Sequence, residues 1–315
     1  MPCAGRRNNA FIQVSSLFSL DKNKTNNTAG FSEGGTLCKF CYKHGGGKKW
    51  YLNERNLSVK LAKELGYEVW ELDHWKLIDK VYGDAAKTLS DVFDDPNLLE
   101  PTKKMIEAMI QKDEGTRVFP EGHLGQVITV EEAKKVVEIS GEIYRVMCPC
   151  RWMNRNEKVY TCMPLGLHGE TARVFPDHAP NGVEILSVEE AKAFLDECDE
   201  KGLVHTIAGT PLPFAFALCN CEYPECIALR PRIDFNVHHL LKGHYVAFLD
   251  IDKCIGCGSC VIRCQFGAAT LRPTMEKAYI DPWKCFGCGV CRAACPEGAI
   301  TLVPRENIPA LKEEW

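Results

Sequence analysis

Two cysteine-rich stretches near the end of the chain decide its fold: CIGCGSCVIRC at residues 254–264 and CFGCGVCRAACP at residues 285–296. Each has the spacing C-x2-C-x2-C-x3-C. Three thiolates separated by two residues can wrap one face of a small iron–sulfur cubane, while the fourth leads away towards a second cluster. The spacing therefore predicts two [4Fe–4S] clusters that exchange their fourth ligands.

The predicted ligand sets follow from this exchange. The first cluster takes Cys254, Cys257, Cys260 and Cys295, and the second takes Cys285, Cys288, Cys291 and Cys264. In so small a module the clusters replace much of the missing hydrophobic core, because ligation energy becomes folding energy. We expect two short antiparallel hairpins and two cluster-linked helices around them.

Composition limits the class of protein. The chain has 315 residues, 18 cysteines and a net charge of −4. It is too long to be a small disulfide scaffold, so metal ligation by reduced thiols in the cytoplasm is the better account. No basic block suited to nucleic acid is present. No stretch approaches the roughly 20 apolar residues that span a bilayer, so no direct membrane insertion is expected.

Six further cysteines form a second candidate metal site. They are Cys148, Cys150, Cys162, Cys219, Cys221 and Cys226. Isolated structural thiols have no reason to pair at CxC spacing beside proline and arginine. Soft thiolates select iron–sulfur clusters or zinc, and a third [4Fe–4S] cluster is favoured over zinc. Arg151 and Arg230 would then offset thiolate charge from the second coordination sphere, or else form ordinary salt bridges.

A CxxC pair, Cys38 and Cys41, lies near the N-terminus with His44 close behind it. Half of a metal site is favoured over a redox dithiol, because no thioredoxin-like βαβ pattern surrounds the pair. The alternative that this pair binds no metal is left open. Together with the central six, these two make eight thiols, enough for a third and a fourth cluster. We favour one cluster beyond the two of the ferredoxin-like module, held by four of the six central cysteines. A fourth cluster or a zinc ion is the alternative for the remaining thiols.

Helix-capping patterns place the main helices. Ser58 is predicted to cap a helix that stops at Gly66. Thr129 and Ser187 each precede a glutamate three residues later, which is the capping-box pattern of a helix start. These patterns predict an α+β chain with a mainly helical N-terminal and central region before the cysteine-rich module.

The cysteine-rich module resembles the bacterial 2[4Fe–4S] ferredoxin domain over residues 254–302. Its halves repeat: AFLD at 247–250 matches AYID at 278–281, and GAATL at 267–271 matches GAITL at 298–302. Gln265 departs from the family, which has proline after the fourth cysteine, as at Pro296.

Residues 129–302 also resemble uncharacterised 4Fe–4S-binding proteins of anaerobic bacteria and archaea. In those proteins CxCR, a lone cysteine and a CNC segment precede a ferredoxin domain, matched here by Cys148–Arg151, Cys162 and Cys219–Cys221. Glu222, Pro224 and Glu225 stand where cysteines often occur in that family. The resemblance thus implies fewer metal ligands here than in many of its members.

These patterns predict five segments. They are a flexible N-terminal arm at 1–35, a helical region with the CxxC at 36–127, a cysteine-containing central domain at 128–244, the 2[4Fe–4S] ferredoxin domain at 245–304 and a C-terminal tail at 305–315.

The favoured function is multi-cluster electron transfer, as a subunit or tightly docking partner of a larger anaerobic redox enzyme. The alternative is an iron–sulfur reductase with its own active site in residues 36–230, where His168, His178 and His205 could act. No GxGxxG, P-loop, HExxH or nucleophile elbow supports that alternative. A DNA-binding sensor would need a basic helix face, which is absent from the sequence.

Overall fold

The computed structural model describes residues 38–67, 125–173, 182–209, 214–236 and 238–315. The predicted arm at residues 1–35 and the candidate His178 lie outside the described residues. All described residues belong to one compact unit, Thr36–Trp315. Helices and strands are numbered below along these residues.

The first described segment consists of short helices. They are α1 (Lys39–His44), 3-10 helices at Trp50–Leu52 and Glu54–Leu57, and α2 (Val59–Glu64). The cap predicted at Ser58 is confirmed, since its hydroxyl accepts a hydrogen bond of 3.2 Å from the backbone N–H of Leu61. Trp50 and Tyr51 are fully buried, and their aromatic faces anchor this segment in the main hydrophobic core.

The central region alternates helices and strands. In chain order it contains β1 (Gly125–Val127), α3 (Val130–Ile139), β2 (Ile143–Arg145), α4 (Pro149–Arg155), β3 (Cys162–Pro164), α5 (Gly166–Ala172), β4 (Glu184–Leu186), α6 (Val188–Lys201), β5 (Val204–Ala208), β6 (Ala217–Cys221), α7 (Leu229–Phe235) and β7 (Leu240–Leu241). Helices α3 and α6 begin at the two predicted capping boxes. In each, the cap hydroxyl accepts from the glutamate N–H while the glutamate accepts from the cap N–H.

The expectation of a mainly helical central region is not confirmed. Five strands form one sheet in the order β3-β6-β5-β1-β7, and β2 pairs separately with β4. Within the larger sheet β1 and β7 run parallel, while the other neighbours are antiparallel. These strands have two to five residues, and several are buried along their whole length. Such strands lack the polar alternation by which a half-buried strand is recognised in a sequence.

The C-terminal module contains β8 (Tyr245–Leu249), α8 (Ser259–Arg263), β9 (Ala269–Arg272), β10 (Lys277–Ile280), α9 (Val290–Ala293) and β11 (Ile300–Pro304). Strands β9 and β10 form a local hairpin. The second predicted hairpin is instead a pairing of the first and last strands, β8 with β11. This long-range pairing closes the module around its two cysteine runs.

Glycines between the cysteines allow the close turns of both runs. Gly256 and Gly287 have φ values of +72° and +71°, in the left-handed region that favours glycine. A Cβ atom on Gly256 would lie 2.1 Å from the carbonyl oxygen of Glu276, and one on Gly287 would lie 2.0 Å from that of Tyr245. The matching positions show that both halves of the repeat wrap their thiols with the same backbone path.

The module is joined to the central region by buried contacts. The fully buried Arg305 donates hydrogen bonds to the carbonyl oxygens of Gly243 at 3.0 Å, Tyr245 at 3.1 Å and Cys285 at 2.8 Å. An apolar cluster continues from β1 and β5 into the module through Phe286 and Val290. Among the described residues, every helix is too short or too polar to cross a membrane.

Candidate metal centres

The first predicted ligand set lines one pocket of the C-terminal module. Cys254, Cys257 and Cys260 meet Cys295 from the second cysteine run, together with Ile255 and other apolar side chains. Three of the thiols therefore come from one run and the fourth from the other. This is the grouping expected from the sequence.

The second predicted set lines a separate pocket in the same way. Cys285, Cys288 and Cys291 meet Cys264 from the first run, beside Phe266 and Phe286. The two phenylalanine rings stack with centroids 4.0 Å apart. The structure thus brings all eight cysteines of the module into two groups of four.

Backbone amides point at several of these sulfurs. The N–H groups of Ala268 and Ala299 donate to the sulfurs of Cys264 and Cys295, at 3.2 Å and 3.3 Å. The N–H of Ala247 donates to Cys285 at 3.4 Å. Hydrogen bonds of this kind stabilise thiolates and raise the reduction potential of a cluster. The two alanines lie 31 positions apart, so the donors repeat with the sequence.

The two pockets differ in their exposure to solvent. Cys257 of the first is exposed, and the Ser259 hydroxyl bonded to it lowers its pKa. In the second, burial raises the pKa of Cys291 to about 12 and that of Cys288 well above its usual value. Apolar burial of that kind disfavours a free thiolate. Positive charge from bound metal would be needed to keep the second set ionised.

The six central cysteines, which we call the thiol ring, also come together. Strand β3 pairs with β6 so that Cys162 lies opposite Cys219. Cys221 follows two residues later on the same face of β6. Cys148 and Cys150 lie at the start of α4. Cys226 completes the set, with its sulfur 3.1 Å from that of Cys221.

Contacts between these thiols form a closed circuit. In order round the ring, each thiol affects the ionisation of the next: Cys148 and Cys150, Cys150 and Cys226, Cys226 and Cys221, Cys221 and Cys219, Cys219 and Cys162, and Cys162 and Cys148. Bonds from Cys162 and Cys221 lower the pKa of Cys219 to about 6, while bonds from Cys148 and Cys226 raise that of Cys150. Buried together, the six thiols cannot all ionise without compensating cations.

The two candidate second-sphere arginines differ in position. Arg151 is buried on α4, and its guanidinium lies 3.1 Å from the carboxylate of Glu222, directly after Cys221. Arg230 pairs with Asp234 on α7 at 3.3 Å. Arg151 therefore lies within the immediate surroundings of the thiol ring. In the described ion pair of Arg230, both residues lie on the same helix, α7.

Two of the candidate catalytic histidines, His205 and His168, are buried and held by contacts with neighbouring side chains. His205 is fully buried, and its ring nitrogen Nδ1 lies 2.7 Å from the side-chain oxygen of Asn220. Burial lowers the pKa of His205 to about 4, so the ring is neutral near pH 7. His168 is also buried and stacks on Phe216 with centroids 3.6 Å apart.

The N-terminal pair Cys38 and Cys41 meets a histidine that sequence reasoning missed. The sulfurs of the pair are 3.1 Å apart, and that of Cys41 lies 3.4 Å from Nε2 of His244. The ring of His44, the histidine next to the pair in sequence, lies against Phe40 with centroids 4.6 Å apart and a tilt of 44°. His244 lies 203 residues after Cys41, and no local pattern connects them.

Gln265 connects the ferredoxin module to the thiol ring. It follows Cys264 directly, and its side-chain N–H donates to the carbonyl oxygen of Gly202 at 2.7 Å. Its side-chain oxygen accepts from the N–H of Tyr223 at 2.8 Å, two residues after Cys221. Cys221, Cys226 and Cys288 belong to one apolar cluster. The second ferredoxin pocket and the thiol ring are therefore joined by closely packed apolar side chains.

Comparison with known proteins agrees with this geometry. Residues 253–299 match the family model described as a 4Fe-4S dicluster domain. A stretch of 92 residues is 30% identical to a Proteus vulgaris protein whose name describes a probable iron–sulfur subunit encoded in the Frd operon. The match covers 28% of this chain and 55% of that protein. The chain thus carries a two-cluster iron–sulfur domain.

Proposed function

We propose that this chain is a three-cluster electron carrier that works as a subunit or tightly docking partner of a larger cytoplasmic redox enzyme. The thiol ring holds the inner [4Fe–4S] cluster. The pocket lined by Cys264 holds the middle cluster, and the pocket lined by Cys257 holds the outer one. Electrons pass between the inner and outer clusters through the middle one.

The observation that carries this proposal is the apolar cluster shared by the ring and the second pocket. Cys221 and Cys226 of the ring pack in it with Cys288 of the pocket and Phe286. Buried apolar surroundings exclude water, and water exclusion is one of the features that tune cluster potential. Continuous packing also keeps the two sites at a fixed separation.

The arrangement of the ring supports a cluster more than a single ion. A mononuclear zinc site needs a compact set of ligand atoms. Among the described residues, a compact triad of that kind is formed by Cys38, Cys41 and His244, not by members of the ring. Four of the six ring thiols would ligate a [4Fe–4S] cubane. The other two thiols would donate hydrogen bonds to it or act as ligands of a larger cluster.

The outer cluster is the proposed contact with a partner protein. Cys257 is exposed, and Ile255 beside it keeps 61% of its surface accessible. Ile262 on α8 is 87% exposed. Apolar side chains of this kind at the rim of a redox centre suit a docking surface. The Proteus vulgaris relative is named as a probable subunit, which agrees with a protein partner.

Electron transfer by the isolated chain tests the proposal. Anaerobically purified protein is reduced with dithionite, freed of reductant and mixed with an oxidised electron-acceptor protein. We expect bleaching of all clusters on reduction and full reoxidation by the acceptor. Reoxidation that instead requires a small-molecule substrate, and that is lost in His168→Gln or His205→Gln, would support a reductase and overturn the proposal.

A further inference from the structure

Cys38, Cys41 and His244 form a compact buried triad apart from the thiol ring and the ferredoxin pockets. Their ligand atoms all lie within 4.8 Å of one another, and all three residues are buried. Two thiols and an imidazole are donors that zinc prefers. Tetrahedral bonds of about 2.3 Å to sulfur put two thiolates roughly 3.8 Å apart. The observed sulfur separation is shorter, at 3.1 Å, so the two thiolates would move slightly apart around an ion.

The local fold holds the two cysteines together. Cys38 caps α1, and its sulfur accepts a hydrogen bond of 3.3 Å from the N–H of Cys41. The side chain of Gln126, which is fully buried, accepts a hydrogen bond of 3.1 Å from Nε1 of Trp50, shortly after α1. Gln126 donates through Nε2 to the carbonyl of Lys242 at 3.0 Å. The residues around the thiols therefore link α1 to the segment that carries His244.

His244 is fixed from its other side by the ferredoxin module. Its carbonyl accepts from the N–H of Arg305 at 2.8 Å, and the preceding Gly243 donates to the carbonyl of Phe286 at 2.8 Å. A Cβ atom on Gly243 would lie 2.8 Å from the carbonyl oxygen of Val127. This tight backbone packing leaves the imidazole facing Cys41.

The size and charge of the triad identify the class of ligand. Atoms this close leave no room for four irons and four sulfides, so the site suits a single ion. A divalent ion with two thiolates and a neutral imidazole has no net charge, which favours a fully buried position. Both cysteines are free thiols, so no disulfide occupies them.

We propose that Cys38, Cys41 and His244 bind one zinc ion that ties the N-terminal helix α1 to the start of the ferredoxin module. The three residues supply three of the four ligands of tetrahedral zinc. The bound ion would join segments about 200 residues apart in the chain. The proposal goes beyond electron transfer and does not depend on the thiol ring.

Metal analysis of the full chain tests the proposal. Protein is produced in medium containing zinc and iron and is purified anaerobically without chelators. We expect about one zinc per chain beyond the cluster iron, by the stoichiometry of a single-ion site. The zinc X-ray absorption spectrum should contain sulfur at about 2.3 Å and nitrogen at about 2.0 Å. This measurement needs no variant.

Matched substitutions locate the ion. We expect His244→Gln and Cys41→Ser to lower zinc at least about tenfold, because loss of even an outer-sphere partner weakens a metal site about 10–100-fold, while iron and sulfide stay unchanged. Cys198→Ser and His168→Gln, which alter buried residues outside the triad, should retain the zinc.

Two results would overturn the zinc site. They are wild-type protein without zinc and zinc bound only by oxygen and nitrogen. Zinc and iron are counted separately, so failure of the zinc site is distinguishable from failure of the three-cluster proposal.

Discussion

Gln265 accepts a hydrogen bond of 2.8 Å from the backbone N–H of Tyr223. This bond joins the residue after Cys264, a proposed ligand of the middle cluster, to the residues after Cys221 of the thiol ring. It gives a physical reason for the departure from the proline found at the matching position, Pro296. Proline at 265 would have no side-chain amide to contact the central region.

Removing the Gln265 amide should loosen this junction. Gln265→Ala leaves the Tyr223 N–H and the Gly202 carbonyl without their partner, which costs about 1 kcal/mol for such hydrogen bonds. We expect amide hydrogen exchange at Tyr223 to be roughly fivefold faster, the factor that corresponds to this energy. Thr301→Ala, an exposed change on β11, is the control and should leave that exchange unchanged. Unaltered exchange in Gln265→Ala would show that the junction does not depend on the amide.

Loss of one outer-cluster ligand should remove that cluster and destabilise the module. Cys257→Ala is expected to lower iron by about four per chain, the content of one cubane, and to lower the thermal midpoint because ligation stabilises the fold. Cys198→Ala, a buried thiol of α6, is the matched control and should keep all iron. Equal iron content and equal melting in the two variants would refute the ligand assignment.

The buried ion pair of Lys49 and Glu132 should contribute strongly to stability. Glu132 accepts from the hydroxyl of Tyr51 at 2.8 Å, and Lys49 and Glu132 are 6% and 3% exposed. Glu132→Gln removes the charge that Lys49 pairs with at this buried site, and breaking a buried ion pair typically costs about 3–5 kcal/mol. We expect a clear drop in the thermal midpoint of the anaerobic protein.

Glu190→Gln is the control for this change, because Glu190 occupies the equivalent position in the exposed capping box of α6. It should leave the midpoint nearly unaltered. Similar effects of the two substitutions would mean that helix capping, not the buried pair, accounts for the contribution of Glu132.

A half-buried carboxyl on α6, that of Asp199, should make stability depend on pH. Burial raises the pKa of Asp199 to about 6. A carboxyl whose folded pKa is raised stabilises the fold below its unfolded pKa, and this contribution is lost as pH rises through about 6. The shift corresponds to about 3 kcal/mol. Asp199→Asn should therefore raise the thermal midpoint at about pH 8 more than at about pH 5.

Glu197→Gln, an exposed change on the same helix, should show no such pH-dependent gain. If Asp199→Asn gives the same gain at both pH values, the carboxyl does not titrate in the folded chain as described.

The sequence predicted what depends on local spacing. Cys254, Cys257 and Cys260 must wrap one site because two-residue gaps leave little choice, and the exchanged Cys264 and Cys295 follow from the repeat. The caps at Thr129 and Ser187 are also local patterns. Strand β6, by contrast, reads Ala-Leu-Cys-Asn-Cys and shows no polar alternation. Its neighbours in the sheet are set by long-range packing.

The missed features are contacts between distant segments. His244 meets Cys41 through a contact between segments 203 residues apart, whereas local spacing suggested the nearer His44. Gln265 appeared only as an exception to a family pattern, and its partners Gly202 and Tyr223 lie about 40 to 60 residues away. Closure of the six thiols into a ring likewise depends on the register of β3 against β6.

The most direct test of the three-cluster account is the iron and acid-labile sulfide content per chain, measured with EPR of the dithionite-reduced protein. Wild-type protein should contain about twelve irons, and the double variant Cys219→Ser/Cys226→Ser about eight, with the signals of the ferredoxin clusters retained. About eight irons in both proteins, with identical spectra, would contradict the account.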